Sequence, residues 1–162
     1  MRSLFPRYLA GGLLLVFIPQ APQTVDFSGS YTLTGVKGDS DYRKGTKWTL
    51  RVVQSIGAIE VTKVKDGKDQ SHKYPLDGTE GDYVNLAGVH GTCKGRLKGK
   101  VLQLDIFLTA HPRPHGPDLR FSSTERWELS ADQKKLTIHG IEGFLDPPSQ
   151  TKSVWSEIYT RD

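Results

Sequence analysis

Two short segments stand out as places where residue type and spacing could do chemistry. They are His111-Pro-Arg-Pro-His115, with two imidazoles four apart, and His90-Gly-Thr-Cys93, with a thiol near a base. Imidazoles at i and i+4 hold zinc when one helix face carries both. Pro112 and Pro114 prevent a helix there, so the spacing argument fails, and no third ligand adjoins it. His72 and His139 are scattered elsewhere in the chain. A Cys93 nucleophile would need His90 to lower its pKa or take its proton, and a Gly-containing segment offers only closeness along the chain. Asp39-Ser-Asp41 and Asp77-Gly-Thr-Glu80-Gly-Asp82 bring carboxylates together without an EF-hand register. Turn chemistry explains both. There is no G-x-S-x-G elbow, no Ser-x-x-Lys, no Walker loop and no H-E-x-x-H. The expectation is a protein that is not an enzyme and uses no metal and no cofactor.

Glu125 is the remaining chemical feature. Strand alternation from Phe121 places Ser123, Glu125, Trp127 and Leu129 on one face, with Arg126 on the other. A carboxylate in such company is costly unless paired, and Arg51 or Arg161 is the expected partner. Two roles stay open for Glu125: a group that orients a ligand at a pocket mouth, or half of a structural ion pair near a barrel end.

The elements that must position these residues are strands. From Ser30 onward the chain alternates apolar and polar residues between turn signals, with no convincing helix. Strands are expected at 30–34, 47–54, 58–64, 70–76, 92–98, 101–109, 120–129, 136–141 and 153–161, with a further short one at 83–87. Gly35 to Gly45 reads as a loop, Asp66-Gly67 as a tight hairpin turn, and Ala110 to Asp118 as a Pro-rich loop. Short connections favour an all-β, single up-and-down antiparallel barrel of eight or nine strands over a Greek-key sandwich. A barrel of that size either fills with side chains or holds one small ligand. The residues expected to face the lumen and line a ligand site are Trp48, Leu50, Val52, Leu104, Ile106, Phe121, Glu125 and Trp127, with Leu102 and Leu129 beside them. The two loops would frame the entrance if they lie at the same end.

Residues 1–23 have the build of a signal peptide. Arg2 and Arg7 precede an apolar run from Tyr8 to Ile18, broken only by Gly11 and Gly12, and Pro19-Gln20-Ala21-Pro22 ends it. At ~11 residues this run is too short to span a bilayer but suits a secretory h-region. The expectation is export to the periplasm or the medium, no stable membrane span after cleavage, and a single domain over residues 24–162. Removing Arg2 and Arg7 from the 22 basic residues leaves 20 against 18 acidic ones, so the net charge falls from +4 to +2. Lys94, Arg96, Lys98 and Lys100 alternate along one strand. They read as a solvated face rather than a nucleic-acid surface, which would want interleaved aromatics. With Cys93 as the sole cysteine, no disulfide within the chain can form.

Three segments resemble a known group. Phe27-Ser-Gly29-Ser-Tyr31 resembles the F-x-G-x-W start of lipocalins and related calycin barrels, with Tyr31 in the Trp position. Ile158-Tyr159-Thr160-Arg161 is similar to the last strand, whose arginine packs over that aromatic. Residues 125–138, Glu125-Arg-Trp127-Glu-Leu129-Ser-Ala-Asp132-Gln-Lys-Lys135-Leu-Thr-Ile138, resemble the E-R-W-x-L-S-x-D-G-K-x-L-T-I hairpin of small exported bacterial lipocalin-like proteins of mostly unassigned function. The resemblance implies a calycin-type barrel that binds a small apolar or amphipathic molecule in its lumen or mouth. The alternative is a filled barrel serving as a structural or interaction module of the cell envelope. Pro147-Pro148 stand where a lipocalin carries a helix before its last strand, and Gly35 to Gly45 cannot supply the two-helix lid of a fatty-acid-binding protein. That variant is therefore expected to fit less well, as are avidin-like barrels, whose lumen tryptophans do not align.

Overall fold

A computed structural model describes residues 25–39, 45, 47–85, 87–111, 118–146 and 152–162. Residues 1–23, Asp41, most of the Pro/His loop including His115, and Pro147-Pro148 lie outside the described residues.

Alternation and hairpin turns produce ten antiparallel strands. They are β1 (Gly29–Gly38), β2 (Trp48–Ser55), β3 (Ala58–Lys65), β4 (Lys68–Pro75), β5 (Gly81–Val84), β6 (His90–Lys98), β7 (Val101–Ala110), β8 (Leu119–Leu129), β9 (Lys135–Asp146) and β10 (Ser153–Arg161). The described residues contain no helix, and so none long and apolar enough to cross a membrane. Each strand pairs with its neighbour in sequence except β4 and β5, and β1 pairs with β10. The sheet therefore curls until its two edges, β4 and β5, approach each other. Instead of a backbone ladder, side chains hold this seam: Gln70 Nε2 donates to the Val84 carbonyl, and Cys93 Sγ lies 3.6 Å from the Lys73 carbonyl. The result is a nearly closed up-and-down barrel.

The strand count is ten, not eight or nine. The additional strand is the short one expected at 83–87, which forms as β5 two residues earlier, at Gly81–Val84; Gly81 and Asp82, poor β formers, obscure its start. Strand β1 runs on to Gly38, where a loop was expected from Gly35. A register shift between Leu33 and Gly35 absorbs Thr34, after which Val36 pairs with Glu157 and Gly38 with Trp155. Strand β9 likewise continues past Ile141, because Gly140 and Gly143 are paired on both sides or by β8 despite their low strand propensity. The β3–β4 turn follows its Asp-Gly signal, with positive φ at both Asp66 (49°) and Gly67 (77°), as a type I′ turn requires.

In a meander successive connections alternate between the two ends. The β2–β3, β4–β5, β6–β7 and β8–β9 turns share one end with Arg161, while the ends of β1, β3, β5, β7 and β9 share the other. Gly38 and Ala110 thus lead into loops at one and the same end.

The Arg161 end is closed by the residues that carried the resemblance. Phe27 and Tyr31 are fully buried, and Tyr31 Oη donates to the Phe27 carbonyl at 2.8 Å. The Arg161 guanidinium lies 5.3 Å over the Tyr31 ring and donates to the Ser28 carbonyl. Gly29 makes room for it, since a Cβ there would stand 2.8 Å from Arg161 Nε. Each position of the F-x-G-x-aromatic motif thus has a packing reason.

Candidate functional site

All eight lumen candidates point inward, but they divide between the packed half at the Arg161 end and the half beyond it. Toward the Arg161 end, Tyr31, Leu50, Val52, Leu102, Trp127, Leu136, Ile138 and Tyr159 are each no more than 2% exposed. Together they form one packed cluster among the described residues. Leu104 belongs to the same packed region. Trp48, Ile106 and Glu125 mark its upper boundary, and Phe121 is half-buried at the rim.

At the boundary lies a polar group built from four strands. Lys63 Nζ (β3) lies 2.9 Å from Glu125 Oε1 (β8), and Trp127 Nε1 donates to Glu125 Oε2 at 2.9 Å. Both carboxylate oxygens are thereby engaged, which meets the cost of burying the charge. The expected partners are corrected here. Arg51 faces outward, because its neighbours Leu50 and Val52 face in, and Arg161 sits at the closed end over Tyr31. Lys63 was missed although alternation on β3 puts it on the inward face with Ile59 and Val61; a lysine in a strand reads by default as solvated.

Strand β4 contributes His72 and Tyr74, and β5 contributes Tyr83, stacked on the His72 ring at a centroid distance of 4.0 Å. Burial, then the Lys63 charge, push the His72 pKa down from 6.5 to about 4, with Glu125 opposing, so the ring is neutral. Burial, then Glu125, hold the Tyr74 phenol well above its ordinary value. His72 Nε2 and Tyr74 Oη make no hydrogen bond. A second buried carboxylate, Glu157 on β10, accepts from Tyr159 Oη at 2.7 Å.

Above this group the inward faces of β7, β8 and β9 open into an apolar cleft of about 230 Å³. Leu108, Ala110, Leu119, Phe121 and Phe144 line it, with Asn85 and Val89 from the β5–β6 connection. Phe121 and Phe144 meet edge to face at 5.7 Å. The register places Leu108, Phe121 and Phe144 side by side in one row, and Ile106, Ser123 and Glu142 in the next row inward. Phe144 escaped the sequence reading because β9 was expected to end at Ile141.

The other candidate groups do not converge. Cys93 is fully buried, and burial, then Asp82, push its thiol up to about 11. Its Sγ faces the Lys73 and Asp82 carbonyls, and His90 falls on the opposite face of β6. That is the setting of an unreactive thiol. His111 Nδ1 meets Asp118 Oδ1 at 2.6 Å on the surface, and His139 pairs with Ser156 outside the barrel. Among the described residues no cluster of His, Cys, Asp or Glu could hold a metal ion. Lys94, Arg96 and Lys98 share the outer face of β6, where Lys94 Nζ lies 5.4 Å over the Phe107 ring.

No family model and no characterised protein matches the sequence. Solved structures do match the fold. A fatty acid transporter superposes with a TM-score of 0.58 at 16% identity, over 83% of this chain and 95% of its own. Lipid binding protein 8 of Caenorhabditis elegans gives 0.61 at 10% identity, over 84% and 95%. Zebrafish ileal bile acid-binding protein, complexed with cholic acid, gives 0.58 at 14% identity, over 84% and 98%. The expectation that a fatty-acid-binding-protein barrel would fit poorly for want of a helical lid is therefore corrected, since the strand framework carries the likeness. At such identities the likeness is one of fold, and the fold is a ten-stranded, nearly closed β-barrel similar to those of fatty-acid-binding proteins.

Proposed function

We propose that this protein binds a small apolar or amphipathic molecule, without catalysis, in the open end of its barrel. The observation that carries the reading is the cleft itself. Leu108, Leu119, Phe121 and Phe144 form an apolar wall with Asn85 as its polar member, and the Lys63–Glu125 pair lies two inward-facing rows further along β8, a composition that suits a small apolar ligand. The solved structures with the same framework, which include lipid- and bile-acid-binding proteins, support a binding role over an enzymatic one. The packing of the Arg161 half limits the cargo to the other half; of the sequence candidates Phe121 lines the cleft, while Trp48, Ile106 and Glu125, at the packing boundary, would touch only a ligand that reaches deeper. Trp127, Leu50, Val52 and Leu104 act as packing.

Export to the periplasm or medium belongs to the same proposal, on the strength of Arg2, Arg7 and the apolar run from Tyr8 to Ile18. The N-terminal residue of the protein recovered from its host's envelope or medium tests it; an intact Met1 in the cytosol would sink it.

The second reading is an interaction module. Ile141 (50% exposed) and Val154 (55%) form an adjacent cross-strand pair on the outer surface, with Leu145 nearby on β9. Native mass spectrometry of the full chain purified from its host separates the two. A small mass that leaves on denaturation, and that Phe121→Asp abolishes without unfolding the barrel, is the expected result. A clean apo mass, with no shift across lipids, fatty acids and neutral apolar compounds, would favour the interaction module instead.

A further inference from the structure

The size of the cleft and its polar side chain narrow the class of ligand, an inference that rests on the binding role proposed above. Among the described residues that line the cleft, Asn85 is the one with a polar side chain. Its Oδ1 accepts from the Ala87 and Val89 amides at 3.0 and 2.9 Å, within the β5–β6 connection. Two N–H donors at one end of the amide require the oxygen there. The other end, Nδ2, has no hydrogen-bond partner among the described residues. With Oδ1 turned into the connection, what Asn85 can offer a ligand is a donor.

Depth is limited from below. Ile106 and Ser123 are buried in the next inward row, and the Lys63–Glu125 pair follows one row further. Strands β3 and β8 stand opposite each other, with four strands between them in either direction round the barrel. The 2.9 Å contact of Lys63 Nζ with Glu125 Oε1 therefore spans the interior as a brace. A long chain could pass it only by parting an ion pair whose carboxylate is buried, which is strongly unfavourable. A cleft of about 230 Å³ holds roughly ten non-hydrogen atoms at interior packing density, fewer than a long-chain lipid has. Phe121 and Phe144 give it an aromatic wall against which a ring packs well. We infer that the ligand is a compact, ring-sized molecule whose carbonyl or ether oxygen accepts from Asn85 Nδ2, and that the brace keeps longer chains out of the barrel.

Calorimetric titration of the full chain with phenyl ketones, from acetophenone through butyrophenone to octanophenone, and with palmitate tests this. Affinity should rise about fourfold per methylene until the cleft is full. Beyond butyrophenone it should level off, with palmitate no tighter than butyrophenone. Lys63→Ala combined with Glu125→Gln removes the brace without orphaning a charge and should let the rise continue to octanophenone. Asn85→Asp keeps the oxygen that the connection needs and removes the donor. It should weaken acetophenone about tenfold and leave α-methylstyrene, the isosteric hydrocarbon, within twofold. If the double variant does not fold, the wild-type series and Asn85→Asp still decide. A steady rise through octanophenone in the wild type, palmitate as the tightest ligand, or the same plateau in a folded double variant would overturn the inference while leaving the carrier role standing. So would an Asn85→Asp chain that treats acetophenone and α-methylstyrene alike. No binding of any ketone or of palmitate would overturn the carrier role, and this inference with it.

Discussion

The Trp155 indole lies directly on the backbone of Gly140, its cross-strand partner on the inner face of the barrel. A Cβ built at Gly140 would stand 2.0 Å from Trp155 Cε2, and Trp155 is 2% exposed. The glycine thus sets where the largest side chain of β10 rests. Trp155 in turn stands in the same inward row as Glu125, at the level where packing gives way to the cleft.

Gly140→Ala should therefore push the indole off its seat and destabilise the barrel by about 1–3 kcal/mol, as overpacking does in a filled interior. Urea unfolding followed by tryptophan fluorescence, with near-ultraviolet circular dichroism, reports both effects. An unchanged midpoint and spectrum would show that Trp155 does not rest on Gly140.

The Lys63–Glu125 pair is buried on the Glu125 side and 18% exposed at the lysine side chain. Removing one member leaves a charge in the interior, so Lys63→Met is expected to cost about 3 kcal/mol. Combining Lys63→Met with Glu125→Gln should restore part of that loss, because no orphaned charge then remains. A double-mutant cycle by denaturant unfolding measures the coupling; strictly additive losses would contradict a direct ion pair.

His72 makes stability depend on pH with a defined sign. Its folded pKa of about 4 lies below its ordinary 6.5, so the unfolded chain binds the extra proton first. Its stability contribution is complete above about pH 6.5 and falls away as pH drops toward 4, by up to about 3 kcal/mol at the bottom of that window. Burial sets this first, then Lys63, which also opposes protonation, while Glu125 favours it; the Tyr83 ring stacks against the imidazole. Unfolding at pH 4.5 and pH 7.5 should show a smaller difference in His72→Phe, which keeps the stack, than in the wild type. Equal differences would assign the acid sensitivity to other groups.

Several features were legible in the sequence for local reasons. Period-two alternation on β2, β7 and β8 fixes which face is apolar, so the inward direction of Trp48, Leu104, Ile106 and Trp127 needed no tertiary information. Asp66-Gly67 specifies its turn because only that chemistry readily accepts two positive φ angles. Phe27, Gly29, Tyr31 and Arg161 announce a closed barrel end, since each has a packing role in joining the first strand to the last.

Tertiary structure alone decided how far along the barrel the packing extends and what each polar group meets. Glu125 called for a cation, but the one it found lies 62 residues away, on a strand that reaches it only once the sheet has curled. Arg51 is no less basic, yet its strand parity points it outward. The reach of β9 to Phe144 and the row that sets Ser123 beside Glu142 both depend on inter-strand register. Register is a sum of many pairings across the sheet, so no single segment of the chain contains it.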